Sequence, residues 1–345
     1  MLINLSIDSS AACAEQMTSA SNRQVPGNWF MLACNTSLFD FNKNLRACRG
    51  CNRLLQRSMC KAGAISSVFA GFLIGFPVAA LPATCVWKVT DHSNHVMYLG
   101  GSWHALRASD YPIPSAFNRA LDASSRLALE VDPNEMHAAD KSISQAALYP
   151  KGDSFKNHVD PRTYNYIRRL FEMLNVPEEK FVHYRPWFIA LALQSPGNRG
   201  MSTSLGVEQF LTSRARSQSK QIIGLETARE HAGVFLGLSD SQSEALLLLT
   251  FIPGGGNNGS QANLMNAWRN GNADAIWHAV HDGFRDFPSL GDRILEARNR
   301  NWIPKMEGYL RSGQAYFVVA GAAHMGGPGG VLALLRGRGY RIEQL

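Results

Sequence analysis

The chain repeats one short unit 220 residues apart, and that repeat limits the fold more than any other feature. Val96-Met97-Tyr98-Leu99-Gly100 runs into Gly101-Ser102-Trp103-His104, and Tyr316-Phe317-Val318-Val319-Ala320 runs into Gly321-Ala322-Ala323-His324. Each short apolar run reads as a strand. A glycine at its end permits a tight turn and sets the next polar side chain at the sheet edge. One Gly-x-x-His is a weak pattern, and a lone histidine after a strand is usually a cap or a packing residue. Two copies, each before a helix-like segment, predict that His104 and His324 meet in one pocket. Its place would be the carboxyl ends of neighbouring strands, where open α/β sheets bind ligands.

Other apolar runs fit the same plan. Residues 85–90, 127–132, 221–226 and 340–343 read as strands, with the polar turn Asp91-His92-Ser93-Asn94 after the first. Ser115 to Ser125 reads as a helix with Ser115 as N-cap, 135–215 as mostly helical, 227–300 as helices, and Gly330 to Arg336 as a helix. Strands parted by long helical stretches give an α/β domain, and no linker divides residues 85–345.

Two carboxylates fall where the histidines do. Glu130 sits in an apolar strand, where an unpaired carboxylate is costly, and Glu226 ends another. Two histidines with one or two carboxylates make a usual ligand set for Zn²⁺, Mn²⁺ or Co²⁺. A carboxylate outside the metal shell could take a proton from metal-bound water. The competing reading makes each glutamate the partner of a buried arginine, and Arg298 is available. The loop 253–259 lacks the lysine and serine of a phosphate-binding loop, and Gly326 to Gly330 reads as a close-approach segment beside His324, with an anion held by its backbone amides as the alternative. No Gly-x-Ser-x-Gly elbow occurs, which argues against a serine hydrolase.

A formal charge of +7 raises the question of a nucleic-acid partner. Residues 1–80 hold seven Lys/Arg against three Asp/Glu, whereas the other 265 residues hold 27 against 24. The domain is therefore close to neutral and shows no basic stripe with aromatics, so nucleic acid is not an expected partner. Residues 62–87 carry no charge, and the apolar run Ala62 to Phe76 ends at Pro77 before small residues. This resembles a secretory signal over 59–84, with a mature start between residues 79 and 86; a retained membrane anchor is the alternative. Residues 1–58 read as an added extension or a start-site artefact. Cys48-x-x-Cys51 lies there without a second pair at zinc-ribbon spacing. Cleavage would leave Cys85 alone, hence no internal disulfide.

The motif series resembles the TraB/PrgY/GumN family, which includes the Tiki proteases. It runs through Tyr98-Leu99-Gly100-Gly101-Ser102-Trp103-His104, Asp110-Tyr111-Pro112-Ile113-Pro114, Leu129-Glu130-Val131-Asp132, Gly224-Leu225-Glu226-Thr227, Arg298-Asn299 with Trp302, and Val318-Val319-Ala320-Gly321-Ala322-Ala323-His324. The tail Gly327-Pro328-Gly329-Gly330 to Gly339-Tyr340 also fits. The resemblance spans about 86–345 and is nearest to the exported GumN branch, which is associated with exopolysaccharide genes. It implies an erythromycin-esterase/ChaN-like α/β fold: a central sheet flanked by helices, in two related halves that each start with a strand–Gly-x-x-His unit. It also implies that His104 and His324 are ligands or catalytic, Glu130 or Glu226 ligand or base, and Arg298 an oxyanion stabiliser. For Tiki-like members it implies dependence on Mn²⁺ or Co²⁺. Glu208 stands where relatives often carry Asp, and no chemistry is assigned to it.

The sequence thus predicts an exported, metal-dependent hydrolase acting on a peptide or small molecule. His104, His324 and Glu130 would hold the metal, and Glu130, Glu226 and Arg298 would serve the chemistry. A membrane would be met only through the N-terminal segment, if uncleaved. The rival is a non-catalytic periplasmic protein that binds a peptide, haem or saccharide, or assists polysaccharide assembly.

Overall fold

The computed structural model describes residues 83–194, 200–251 and 260–345. The extension at 1–58, nearly all of the 59–84 signal, the Cys48-x-x-Cys51 pair and the 253–259 loop lie outside the described residues.

The apolar runs form one sheet. Its strands are β1 (Val86–Thr90), β2 (Val96–Ser102), β3 (Arg126–Leu129), β4 (Gln221–Gly224), β5 (Tyr316–Gly321) and β6 (Arg341–Gln344), in the order β4-β3-β5-β2-β1-β6. β2, β3, β4 and β5 are mutually parallel, while β1 runs antiparallel to both its neighbours. Every residue of β5 is buried, as expected of a central parallel strand covered on both faces. The mixed α/β architecture, a six-stranded sheet flanked by helices, agrees with the predicted class.

The two repeated units lie side by side. β2 pairs with β5 from Met97–Tyr316 to Ser102–Gly321, so the strands that precede His104 and His324 are neighbours. Parallel β2, β3, β4 and β5 point their carboxyl ends at one edge, which brings the segments after all four strands together.

Two boundaries differ from expectation. Ser115 is the first residue of its helix (Ser115–Asp122), and the cap position falls to Pro114; the Ser115 hydroxyl instead accepts from Arg119 Nη1 at 2.7 Å. β3 stops at Leu129, so Glu130 follows the strand rather than lying inside it, and β4 likewise stops two residues before Glu226. Pairing nevertheless continues past both ends: Leu225 N–H donates to Leu129 O at 2.7 Å and Glu226 N–H to Glu130 O at 2.9 Å. The ladder that outlasts the strands fixes the two carboxylates as neighbours. Cys85 is a buried free thiol, and burial pushes it up to about 12. Among the described residues no helix is long and apolar enough to cross a membrane.

Candidate functional site

Four strand ends and one helix build the site. His104 follows β2, Glu130 follows β3, Glu226 follows β4, and His324 closes a short 3₁₀ turn (Ala322–His324) after β5. The helix Glu296–Arg311 lies across them and buries Arg298, Asn299, Trp302, Ile303, Met306 and Leu310, a 3–4 residue stripe on one face. The spacing of four sets the Arg298 guanidinium 4.8 Å from the Trp302 ring centroid. All five predicted site residues, His104, Glu130, Glu226, Arg298 and His324, gather in one cluster.

Arg298 is at its centre and is 4% exposed. A guanidinium has five N–H donors, and here each has an acceptor. Nε donates to Glu226 Oε2 at 3.2 Å; Nη2 to Glu226 Oε1 and Glu130 Oε2, both at 2.5 Å; Nη1 to Ile294 O at 3.4 Å and His324 Nε2 at 3.3 Å. Burial works against every charge in this group, but the pairing overrides it. Glu130 is held well below the usual carboxylate range, chiefly by the Arg298 charge. Glu226 is lowered by His231 and Arg298, and Arg298 itself is raised by the two carboxylates.

The two glutamates differ in what they have left. Glu226 accepts from Arg298 Nη2 and His231 Nδ1 (2.6 Å) at Oε1, and from Arg298 Nε and Trp302 Nε1 (3.2 Å) at Oε2. A carboxylate offers about four acceptor positions, so Glu226 is filled. Among the described residues two hydrogen bonds reach Glu130: Gly321 N–H at Oε1 (2.8 Å) and Arg298 at Oε2. Glu130 keeps acceptor capacity and Glu226 does not. The expectation that either could be the base or ligand therefore narrows to Glu130 on geometry.

Hydrogen bonding fixes the tautomer of His324. Asn299 Nδ2 donates to Gly329 O at 2.9 Å, which turns Asn299 Oδ1 toward His324 Nδ1 at 2.7 Å. Nδ1 must then carry the proton, and Nε2 offers a lone pair to Arg298. Complete burial pushes the imidazole down to about 3, with the Arg298 charge adding to it. His324 Nε2 stands 3.9 Å from Glu130 Oε1, and the Trp302 ring packs 4.6 Å from the imidazole.

His104 has the opposite environment. Glu208 Oε2 meets its Nδ1 at 2.7 Å, and Glu208 Oε1 accepts from Ser102 Oγ at 2.9 Å. Burial disfavours the His104 cation, but Glu208, with Glu130 behind it, outweighs burial and raises its pKa. The pair is also wetter, with 12% and 21% of the two side chains exposed. Glu208 lies at the start of the helix Val207–Ser217, and Gly206 brings that start against the His104 carbonyl, which any Cβ there would strike. Val207 N–H donates to Trp103 O at 3.1 Å and completes the junction.

Among the described residues two groups of side chains have the spacing to hold a cation: His104, Glu130 and Glu208, and Glu130, Glu226 and His231. In the second, Arg298 Nη2 already lies among the three residues, bonded to both glutamates and 3.2 Å from His231 Nδ1. A fixed cation thus fills that position. The first group is different. A Cβ on Gly321 would stand 3.0 Å from His104 Nε2 and 3.4 Å from Glu130 Oε1, so the glycine leaves a cradle between an imidazole nitrogen and an acceptor oxygen. Glu208 at Nδ1 directs the Nε2 lone pair outward, the usual arrangement behind a metal-binding histidine. Three carboxylates also face one permanent cation in the whole cluster. These residues fit a divalent ion of the Zn²⁺, Mn²⁺ or Co²⁺ type.

Sequence reasoning noted Glu208 as a family position but gave it no chemistry, and it did not single out His231. Glu208 belongs to no motif that spacing alone exposes. His231 is the fourth residue of a helix (Ala228–Leu236) whose Thr227–Glu230 capping box reads as ordinary helix chemistry. Its burial at 3% exposure was the available clue only once the helix was placed against Glu226.

A family model described as the TraB/PrgY/gumN family matches residues 85–344. The uncharacterized protein YbaP of Escherichia coli (strain K12) is 24% identical over 250 residues, which cover 72% of this chain and 90% of that protein. YbaP of Shigella flexneri matches to the same extent. No solved structure matches. With the match running from β1 to β6, through both Gly-x-x-His units, the chain belongs to the TraB/PrgY/gumN family.

Proposed function

We propose that the protein is a metal-dependent hydrolase, peptidase-like in its chemistry, with the reacting centre at the cradle between His104 Nε2 and Glu130 Oε1. The cradle opposite Gly321 carries this reading, since it pairs an oriented imidazole with the glutamate that retains acceptor capacity. His104 Nε2 and Glu130 would hold the ion, with His324 beside them and Glu208 behind His104. A bound divalent ion would supply a Lewis acid that polarises a carbonyl and makes water more acidic. The chain's own residues do the rest. Glu208 holds His104 in one orientation, Gly321 N–H and Arg298 hold Glu130, and Asn299 holds His324 as a neutral acceptor. Export, with residues 59–84 as a cleaved signal and the GumN branch as the nearest kin, belongs to the same proposal, as do the erythromycin-esterase/ChaN-like fold and the two related halves; the charge-free 62–87 segment and the pairing of β2 with β5 support them.

One observation favours the rival reading of a non-catalytic binder of a peptide, haem or saccharide. All five Arg298 donors are engaged within the protein, so none is free for a developing oxyanion. The test is calorimetric titration of the chelator-stripped full chain with Mn²⁺, Co²⁺ and Zn²⁺, beside His104→Ala and Gly321→Ala, followed by a peptide-library screen. Stoichiometric binding in the wild type and loss in both variants is the expected result. No binding by the wild type would overturn the hydrolase reading and turn attention to ligand capture.

A further inference from the structure

His231 is buried, has a hydrogen-bonding ring nitrogen with no partner, and has no part in the function proposed above. Nδ1 lies 2.6 Å from Glu226 Oε1, while Nε2 is buried and has no hydrogen-bond partner among the described residues. Arg298 Nη2 stands 3.2 Å from Nδ1, but its two hydrogens point to Glu130 and Glu226. Nδ1 therefore carries a proton and donates it to Glu226, and Nε2 is left without a partner. An unpartnered buried nitrogen is a cost that an apolar side chain would avoid. Something else at this position must offset it.

What His231 touches indicates the gain. Its bond completes the acceptor set of Glu226, the residue that grips Arg298 at two donors, Nε and Nη2. Arg298 in turn holds Glu130 at Oε2, which leaves Oε1 for the cradle opposite Gly321. We propose that His231 is a positioning residue: through Glu226 and Arg298 it sets the direction in which Glu130 presents its free acceptor positions. This rests on the reading of Glu130 as the ligand of the cradle, and it adds a fourth side chain to the line His231–Glu226–Arg298–Glu130. Such supports behind a ligand commonly change metal affinity by about 10–100-fold when removed.

The test uses the full chain and the variants His231→Leu, which loses the donor, and His231→Gln, which keeps an amide donor at similar reach. Mn²⁺ affinity should fall about tenfold in the leucine variant and return toward the wild-type value in the glutamine variant. A nitrogen-detected NMR spectrum gives a readout that needs no metal. In the wild type His231 should show a protonated Nδ1, and the Arg298 Nε–H should be protected from exchange. The leucine variant should lose that protection while its circular dichroism stays native. Should the leucine variant keep both Mn²⁺ affinity and the protected Arg298 signal, or His231 carry its proton on Nε2, the proposal is overturned. A leucine variant that fails to fold shifts the decision to the tautomer and to the glutamine variant, which must then retain the Arg298 signal. A wild type that binds no Mn²⁺ would instead remove the hydrolase reading, and the NMR signals would still decide whether His231 positions Arg298.

Discussion

Arg298, Glu226 and Trp302 have every side-chain donor and acceptor engaged, whereas Glu130 and His104, on the other side of the same cluster, do not. The first region is dry: a buried guanidinium with two carboxylates, closed by a tryptophan. The second is partly wet and has capacity in hand. A saturated network gives rigidity and a defined geometry, because any displacement strands a charge in a poor dielectric. An unsaturated one can accept a ligand. The contrast teaches that the arginine holds Glu130 in place, and that the room left for a ligand lies toward Gly321 and His104.

The hardest way to break this contrast is Arg298→Met. It leaves Glu130 and Glu226 buried without their shared cation, and loss of about 3–5 kcal/mol is expected, read as a drop in the urea midpoint. A stability within about 1 kcal/mol of wild type would show that the dry region is not a scaffold. Next in size is Gly321→Ala. Its Cβ would enter the cradle 3.0 Å from His104 Nε2, so divalent-ion affinity should fall by more than tenfold, with a smaller change in melting temperature. Glu208→Gln should weaken ion binding about tenfold while the fold changes little, because the amide can still meet Ser102 and the pair is partly exposed.

The smallest effect expected is one of pH, and it separates the two regions by sign. The folded-state pKa of His104 is raised above its ordinary 6.5. The stability it contributes is therefore fully present below about 6.5 and is lost as pH rises through the folded value. His324 is lowered from 6.5 to about 3. Between those values the unfolded chain takes up a proton that the folded chain refuses, so folding weakens as pH falls through that window. Glu130 and Glu226, both depressed, act in the same direction at lower pH. In chelator, urea unfolding of Glu208→Gln beside wild type should show a larger deficit at pH 5.5 than at pH 8.5. An equal deficit at both would mean that the His104–Glu208 pair does not hold its proton as described.

Much of the frame was legible in the sequence because burial leaves a clear mark on central strands. Tyr316 to Ala320 and Val96 to Gly100 are apolar runs closed by glycine, and both form strands at those positions. Glu130 and Glu226 were visible because a charge beside such a run demands a partner. The strand ends were read too long, since pairing past Leu129 and Gly224 keeps an extended backbone without forming a full ladder. Side-chain partners supplied from helices were not legible. Glu208 and His231 sit on surfaces that resemble ordinary helix starts, and only the packing of those helices on the sheet edge gives them a role. Asn299 stood within the quoted Arg298-Asn299 motif, but its grip on His324 depends on Gly329, thirty residues on, and no spacing rule reports that.

The strand order has a consequence for the birth of the site. β5 lies between β3 and β2 at the middle of the sheet, yet among the described strands it is the fifth in chain order. Until it inserts, β2 and β3 share no neighbour, and Gly321 and His324 are missing from the pocket. Such late, long-range pairing makes for slow closure. A nascent or truncated chain that ends before Tyr316 therefore has neither its cradle nor its central strand, and whatever the pocket does can begin only once β5 and the turn to His324 have been made.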